Sequence, residues 1–190
     1  MGRDALLTLV RCIAGLIAGL AFWYAFASPY NAFLGRVAQP IIRVFERPST
    51  TRLVPRGDEL TIERSDFRRG SARPAIATPV LTANFVLLAA LFAANRTPWS
   101  TENVGRFLTS AVALVPIHIA AIIANVHATY ASPGAWSARH YSPFARNFWG
   151  AAAHFYLVIG AFASAFLLWF LLRPSGRAGE PVRGRRSTPR

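Results

Sequence analysis

The sequence predicts an all-α membrane protein in which four transmembrane helices carry one small extracytoplasmic insertion. Of its 190 residues, 53% are hydrophobic and only 15% are charged. The apolar residues fall in four blocks, each near the roughly 20 residues that a helix needs to cross a bilayer core. The 21 basic residues are all arginine and give a net charge of +13. This distribution excludes a disordered chain and most soluble enzymes, and the single cysteine excludes a disulfide scaffold.

The first block, residues 1–27, is predicted to be the first transmembrane helix. It is longer than the apolar core of a signal peptide, so we interpret it as a retained signal anchor. Arg3 and Arg11 lie at its start, and no basic residue follows it until Arg36. Because arginines that flank the first helix favour the cytoplasm, we expect both termini there. The absence of lysine and the abundance of alanine and arginine suggest a bacterial source, and therefore the inner membrane.

Residues 28–74 form the predicted insertion, and its first part has the pattern of an amphipathic helix. Apolar residues recur at helical spacing over residues 33–45. The opposite face carries three arginines: Arg36, Arg43 and Arg47. This pattern is typical of a helix that lies on a membrane surface, and Pro40 is expected to kink it.

The second part of the insertion, residues 52–67, is predicted to be a β-hairpin. Gly57-Asp58 has the composition of a tight turn, and Leu60 and Ile62 alternate with polar residues. A lone hairpin is marginal in water, so we expect the amphipathic helix, another extracytoplasmic loop or a second protein to cover it. The candidate partner-binding residues are charged side chains of the insertion: Arg36, Arg43, Arg47, Arg56 and Asp58.

The other three blocks are predicted to be transmembrane helices over residues 75–94, 104–130 and 148–172. Thr78-Pro79 suits the start of the second helix, since proline is favoured in a first turn. Residues 173–190 contain mainly Gly, Pro, Ser and Arg, and we expect a disordered basic tail there.

Small residues four positions apart occur in two of the blocks, as Gly15 and Gly19 and as Gly160 and Ser164. Such pairs let helix backbones approach closely in a membrane. We interpret both as contacts within the bundle, with a homodimer through Gly15 and Gly19 as the alternative.

Three histidines near one interface are the candidate metal ligands. His127 ends the third block, His154 begins the fourth, and His140 lies in the short loop between them. Imidazoles bind zinc, copper and haem iron, so a convergent set predicts a metal or haem site. No acid or cysteine completes the set, however, and interfacial hydrogen bonding is the favoured interpretation. We therefore predict no cofactor.

Three further polar residues lie inside the apolar blocks: Asn84, His118 and Asn125. Hydrogen bonds between such groups hold membrane helices together, and we favour this role over a cavity for a ligand. All eight acidic residues lie outside the blocks or at their edges, and an ion-coupled transporter therefore loses support.

The order of these parts resembles that of small accessory membrane proteins of bacterial exosortase systems, which sort proteins in the cell envelope. The resemblance covers about the first two thirds of the chain. It rests on the aromatic end of the first block, Ser28-Pro-Tyr-Asn31, the amphipathic residues 33–45, the turn at Gly57-Asp58, and a second block entered by Thr78-Pro79 that carries Asn84. It implies an accessory role near a sorting peptidase, without catalysis.

The sequence is compatible with two functions. The first is a non-enzymatic membrane protein that presents residues 28–74 to membrane lipid and to a protein partner such as a sorting peptidase. The alternative is a small redox protein that uses His127, His140 and His154. Nucleic acid is not an expected partner, because acids among residues 28–74 offset much of the basic charge and the tail arginines suit membrane orientation.

Overall fold

The computed structural model describes residues 2–46, 50–65, 67, 70, 72–133 and 135–173, with Trp136 described by its backbone alone. This part of the chain is predominantly helical and carries one small sheet, in agreement with the predicted helical membrane protein. Three helices are long and apolar enough to cross a membrane: Arg3–Phe45, Thr101–Ala131 and Pro143–Leu172. A fourth apolar stretch, Thr78–Ala93, is shorter. The predicted basic tail lies outside the described residues from Pro174 onward.

Helix α1 runs from Arg3 to Phe45 without a break. Its 43 residues correspond to about 64 Å of helix. The prediction of a transmembrane helix that ends at residue 27 and a separate amphipathic helix over residues 33–45 is therefore corrected to one continuous helix. Pro29 and Pro40 both lie inside it on its exposed side. Buried residues of α1 continue beyond both prolines, so the helix stays packed along this length. This packing outweighs the backbone hydrogen bonds that the prolines remove.

The insertion folds into a three-stranded antiparallel sheet in the order β1-β2-β3. The strands are β1 (Arg52–Arg56), β2 (Glu59–Glu63) and β3 (Ala75–Ala77). Gly57 has φ of +59° in the two-residue turn, a conformation that glycine adopts without strain. Residues 75–77, which were predicted to belong to the second transmembrane helix, instead form β3. Ile76 pairs with Leu60, and the Ile62 amide donates to the Pro74 carbonyl at 2.8 Å.

The end of α1 covers the inner face of this sheet. Both surfaces contribute fully or almost fully buried apolar side chains: Leu34, Ala38 and Ile42 from α1, and Leu53, Leu60, Ile62 and Ile76 from the strands. Gly35 permits the close approach, since a Cβ there would lie 3.0 Å from the Leu60 side chain. The hairpin is thus covered by the amphipathic part of its own chain. We call the three strands, together with residues 31–46 of α1 and 121–131 of α4, the cap.

The remaining helices form an antiparallel bundle below the cap. They are α2 (Thr78–Thr82), α3 (Asn84–Ala93), α4 (Thr101–Ala131), α5 (Pro143–Phe155) and α6 (Ala161–Leu172), with a π-helical turn Tyr156–Gly160 that joins α5 to α6. A 3₁₀ turn, Trp136–His140, precedes α5. The Ser100 and Ser142 side chains cap α4 and α5 by accepting backbone N–H bonds. The helix that was predicted to begin at residue 148 therefore begins at Pro143, five residues earlier.

Gly15 and Gly19 lie at the contact between α1 and α3. A Cβ at Gly15 would overlap the Ala93 side chain, and one at Gly19 would come within 2.8 Å of Ala89. Glycine is needed at both positions because the two backbones are too close for any side chain. The pair therefore packs helices within one molecule.

Candidate functional site

A chain of hydrogen bonds crosses the interior of the bundle and centres on His118. The Tyr30 hydroxyl lies 2.7 Å from His118 Nδ1, and His118 Nε2 lies 2.8 Å from Asn84 Oδ1. An amide oxygen can only accept, so Nε2 donates to Asn84, and in the neutral imidazole Nδ1 accepts from the Tyr30 hydroxyl. Both ring nitrogens therefore have a hydrogen-bond partner.

The chain continues from Asn84 to the last helix. The Asn84 amide donates to Ser164 Oγ at 3.0 Å, and lies 3.5 Å from the Tyr156 hydroxyl. Tyr156 in turn donates to the Leu81 carbonyl at 2.8 Å. Of the predicted intramembrane polar residues, Asn84 and His118 thus meet. Asn125 instead donates to the Ala121 carbonyl of its own helix. The network joins α1, α3, α4 and α6, as expected of groups that hold membrane helices together.

A buried ion pair clamps the cap. Arg64 donates to Glu46 at 2.8 Å, and their side chains are only 6% and 4% exposed. The Thr51 hydroxyl donates to the same carboxylate and lies 2.6 Å from the Tyr130 hydroxyl. The Arg64 guanidinium also lies 4.9 Å from the centre of the Tyr130 ring. The cluster connects the end of α1, the strand β2 and the end of α4.

His127 is buried beside this clamp. His127 Nδ1 lies 2.7 Å from the Tyr141 hydroxyl, and its ring stacks on Trp149. Burial raises the pKa of Tyr141 to about 12, and the Glu46 carboxylate adds to the rise. His140 and His154 are exposed. Among the described residues, no three His, Cys, Asp or Glu side chains are placed to hold a metal ion.

The outward face of the sheet carries charged side chains. Its side chains alternate in sign: Arg52, Arg56, Glu59, Glu63 and Arg73. The register sets Arg52 opposite Glu63 and Arg56 opposite Glu59. Glu63 forms ion pairs with Arg56, at 3.2 Å, and with Arg73. Opposite charges across strands stabilise an exposed sheet.

The free edge of β1 is closed to further strand pairing. The Leu53 amide donates to the Gln39 side chain at 3.0 Å, and Pro55 has no amide hydrogen. Such an edge resists uncontrolled association, so a partner that binds the cap would contact side chains on the face.

The predicted partner-binding residues that the structure describes lie on two elements, α1 and the hairpin. Arg36 is exposed on α1, and Arg43 donates to the Thr51 carbonyl at 2.7 Å. Arg56 and Asp58 lie at the turn end of the hairpin. The Asp58 carbonyl accepts from the Thr78 amide and hydroxyl, which ties the turn to the start of α2. Arg47 lies outside the described residues.

No protein-family model, curated protein or solved structure matches the chain. The clamp could not be read from the sequence, because Glu46 and Arg64 are eighteen positions apart and no local pattern connects them.

Proposed function

We propose that the chain is a non-enzymatic accessory subunit of the bacterial inner membrane that presents its cap to a partner in an exosortase-like protein-sorting system. The observation that carries this proposal is the contrast between the two faces of the sheet. One face is fixed by an apolar core and a buried ion pair, and the other carries four exposed charged side chains and the partly buried Glu63.

A fixed, charged face suits recognition of another protein. Residues that are held in place before binding lose little conformational entropy when a partner docks. Complementary charges give such a contact its selectivity and speed more than its strength. Arg52, Arg56 and Glu63 are the residues we expect to contribute most at this face.

In this proposal the chain crosses the membrane four times, with both termini in the cytoplasm. Arg3 and Arg11 at the start of α1 support the orientation, since arginines that flank a first helix favour the cytoplasm. The apolar stretch Thr78–Ala93 gives about 24 Å of helix. This is less than the bilayer core of about 30 Å, so it crosses with local thinning of the bilayer.

The proposal is tested by site-specific photocrosslinking in the source cells. A photoreactive amino acid replaces Arg52 or Arg56 on the sheet, or Leu108, which is 56% exposed on the bundle, as the control. We expect the sheet positions to yield one adduct that contains a membrane sorting peptidase, and the control to yield none. Equal labelling at all three positions, or an adduct from Leu108 alone, would contradict the proposal.

A further inference from the structure

The side chain of Arg56 does not form an ion pair with the acid opposite it in the sheet. In the register of the strands Arg56 stands opposite Glu59, next to the turn. Its guanidinium instead lies 3.2 Å from the carboxylate of Glu63, at the other end of β2. Glu59 and Glu63 are four residues apart, or about 13 Å along the strand. The side chain of Arg56 therefore extends along the sheet, away from the turn.

The end of the sheet far from the turn has an excess of positive charge. Arg73 forms a second ion pair with Glu63, and Arg52 stands opposite Glu63 in the register. Arg52 is exposed and forms no ion pair with another described residue. Three arginines are thus grouped with one carboxylate, which gives this end a net charge of +2. We call these four residues the basic end: Arg52, Arg56, Glu63 and Arg73.

The turn end of the sheet has the opposite charge. Asp58 and Glu59 are adjacent in the sequence, and both are exposed. Neither carboxylate forms an ion pair with another described residue. The Asp58 carbonyl accepts from the Thr78 amide and hydroxyl, so the turn that carries both acids is fixed. We call Asp58 and Glu59 the acidic end.

An uncharged row separates the two ends. Val54, Thr61 and Ala75 are partners across the three strands, and residues in register lie on one face. The ends of the sheet are about 13 Å apart. This separation exceeds the Debye length of about 8 Å at physiological ionic strength. The two charges consequently do not cancel at the surface of a docked partner.

The separated charges determine which kind of partner fits this face. A nucleic acid or an anionic membrane presents negative charge throughout, and would be repelled by the acidic end. A protein surface can carry both signs, and complementary charges then set the register of docking. Because the free edge of β1 is closed, such a partner would contact side chains on the face.

We propose that the outward face of the sheet binds a protein surface that carries an acidic group and a basic group about 13 Å apart. The acidic group of the partner lies at the basic end, and its basic group lies at Asp58 and Glu59. Only one orientation is admitted, because a partner turned end for end would bring like charges together at both ends. The inference rests on the proposed function, in which this face docks a partner, and adds the chemistry and the orientation of that partner.

The test compares the wild-type face with a variant of reversed polarity. A photoreactive amino acid at Val54, in the uncharged row, reports the docked partner by crosslinking in the source cells. The control variant, Arg52→Lys with Glu59→Asp, keeps the polarity. The reversed variant exchanges the sign of every charge at the two ends, so that opposite signs still meet at each ion pair and the net charge is unchanged: Arg52→Glu, Arg56→Glu, Asp58→Arg, Glu59→Arg, Glu63→Arg and Arg73→Glu.

We expect the same protein adduct from wild type and control. At equal abundance in the membrane the reversed variant should lose about ten-fold or more of the adduct, since complementary charge raises association rates by about 10–10³-fold. An unchanged yield from the reversed variant would overturn the inference but leave the docking role of the sheet standing, because the partner is still bound. A wild type without a protein adduct, or with an adduct to lipid alone, would overturn both.

A second measurement does not depend on accumulation of the reversed variant. Arg52→Gln with Arg73→Gln neutralises charge at the basic end, and Asp58→Asn with Glu59→Gln neutralises the acidic end. In isolated membranes each pair of substitutions should lower the adduct yield and weaken its dependence on salt, because fewer charges remain to be screened. Yields and salt dependences equal to those of wild type in both variants would contradict the inference.

Discussion

In the bundle, α1 meets α3 through Gly15, Gly19 and alanines, whereas in the cap the same helix meets the sheet through Leu34 and Ile42. The difference follows from the surroundings. Lipid tails are as apolar as leucine, so helices in a membrane gain from close backbone contact and from hydrogen bonds. In the proposed arrangement the sheet lies outside the hydrocarbon, where burial of large apolar side chains stabilises the fold.

The polar contacts of the two regions differ in the same way. The bundle holds a chain of neutral groups from Tyr30 to Ser164. The cap holds a charged pair, Glu46 and Arg64, that is almost fully removed from solvent. The comparison predicts that single substitutions in the cap have larger effects than comparable substitutions in the bundle.

The largest effect is expected at the clamp. Glu46→Ala leaves Arg64 buried without its carboxylate, and breaking a buried pair costs about 3–5 kcal/mol of unfolding free energy. The control is Glu102→Ala, which breaks the exposed Glu102–Arg106 pair of the bundle and is expected to cost under about 1 kcal/mol. Chemical unfolding in mild detergent measures both. Equal losses of unfolding free energy in the two variants would contradict this comparison. Replacement of both partners, Glu46→Leu with Arg64→Met, should recover most of the stability.

The next effect is expected at the contact between α1 and α3. Gly15→Ala forces a methyl group against Ala93 and should destabilise the bundle by about 1–3 kcal/mol. At Gly150 a Cβ would meet no atom within 4 Å, so Gly150→Ala is the matched control and should be neutral or slightly stabilising. Thermal unfolding of the two variants tests this difference. If the addition of Ala93→Gly to the Gly15→Ala variant does not restore its thermal stability, the predicted clash is wrong.

A smaller effect is expected in the polar chain of the bundle. Asn84→Leu removes the hydrogen bonds to His118 and Ser164, and such bonds contribute about 0.6–1.7 kcal/mol in membranes. The same unfolding assay should therefore show a modest loss, with the cap unchanged in hydrogen exchange. A loss of unfolding free energy as large as that of Glu46→Ala would mean that this chain of hydrogen bonds does more than hold helices together.

The smallest effect concerns Tyr141 and alkaline pH. An unfolded tyrosine ionises near pH 10, whereas burial raises the pKa of Tyr141 to about 12. The unfolded chain therefore loses this proton first, and the folded state loses stability as the pH rises from 10 to 12. Tyr141→Phe should make that decline shallower in a pH series of thermal unfolding. Identical slopes for the two proteins would contradict the assigned burial.

The sequence predicts those parts of the fold that depend on local pattern. The apolar blocks and the hairpin at Gly57-Asp58 are of this kind, because a hydropathy period or a turn dipeptide is visible within a few residues. The unbroken α1 is not, since whether Pro29 and Pro40 end a helix depends on which side of it is packed. Strand β3 is also hidden, because its three apolar residues merge with the block that follows.

The candidate site divides in the same way. Asn84 and His118 are polar residues within apolar blocks. Their role in hydrogen bonding between helices can therefore be predicted from the sequence, although their contact with each other cannot. The charged residues of the sheet can be found in the sequence. The face of the sheet on which they lie is known only from the register of the strands.

The central claim is that the end of α1 covers the hairpin from within the same chain. A Cβ at Gly35 would lie 3.8 Å from the Leu53 Cβ, which is near the usual separation in a disulfide. In a Cys12→Ser background, Gly35→Cys with Leu53→Cys should therefore crosslink within one molecule when membranes are oxidised. Arg36→Cys with Leu53→Cys, which turns the first cysteine away from the strand, is the control.

The measurement is the fraction of intramolecular disulfide in native membranes, read by thiol labelling and by electrophoresis without reductant. The account predicts rapid and nearly complete crosslinking of the 35–53 pair and little of the 36–53 pair. Free thiols in both pairs, or crosslinks only between molecules, would show that α1 does not cover the hairpin.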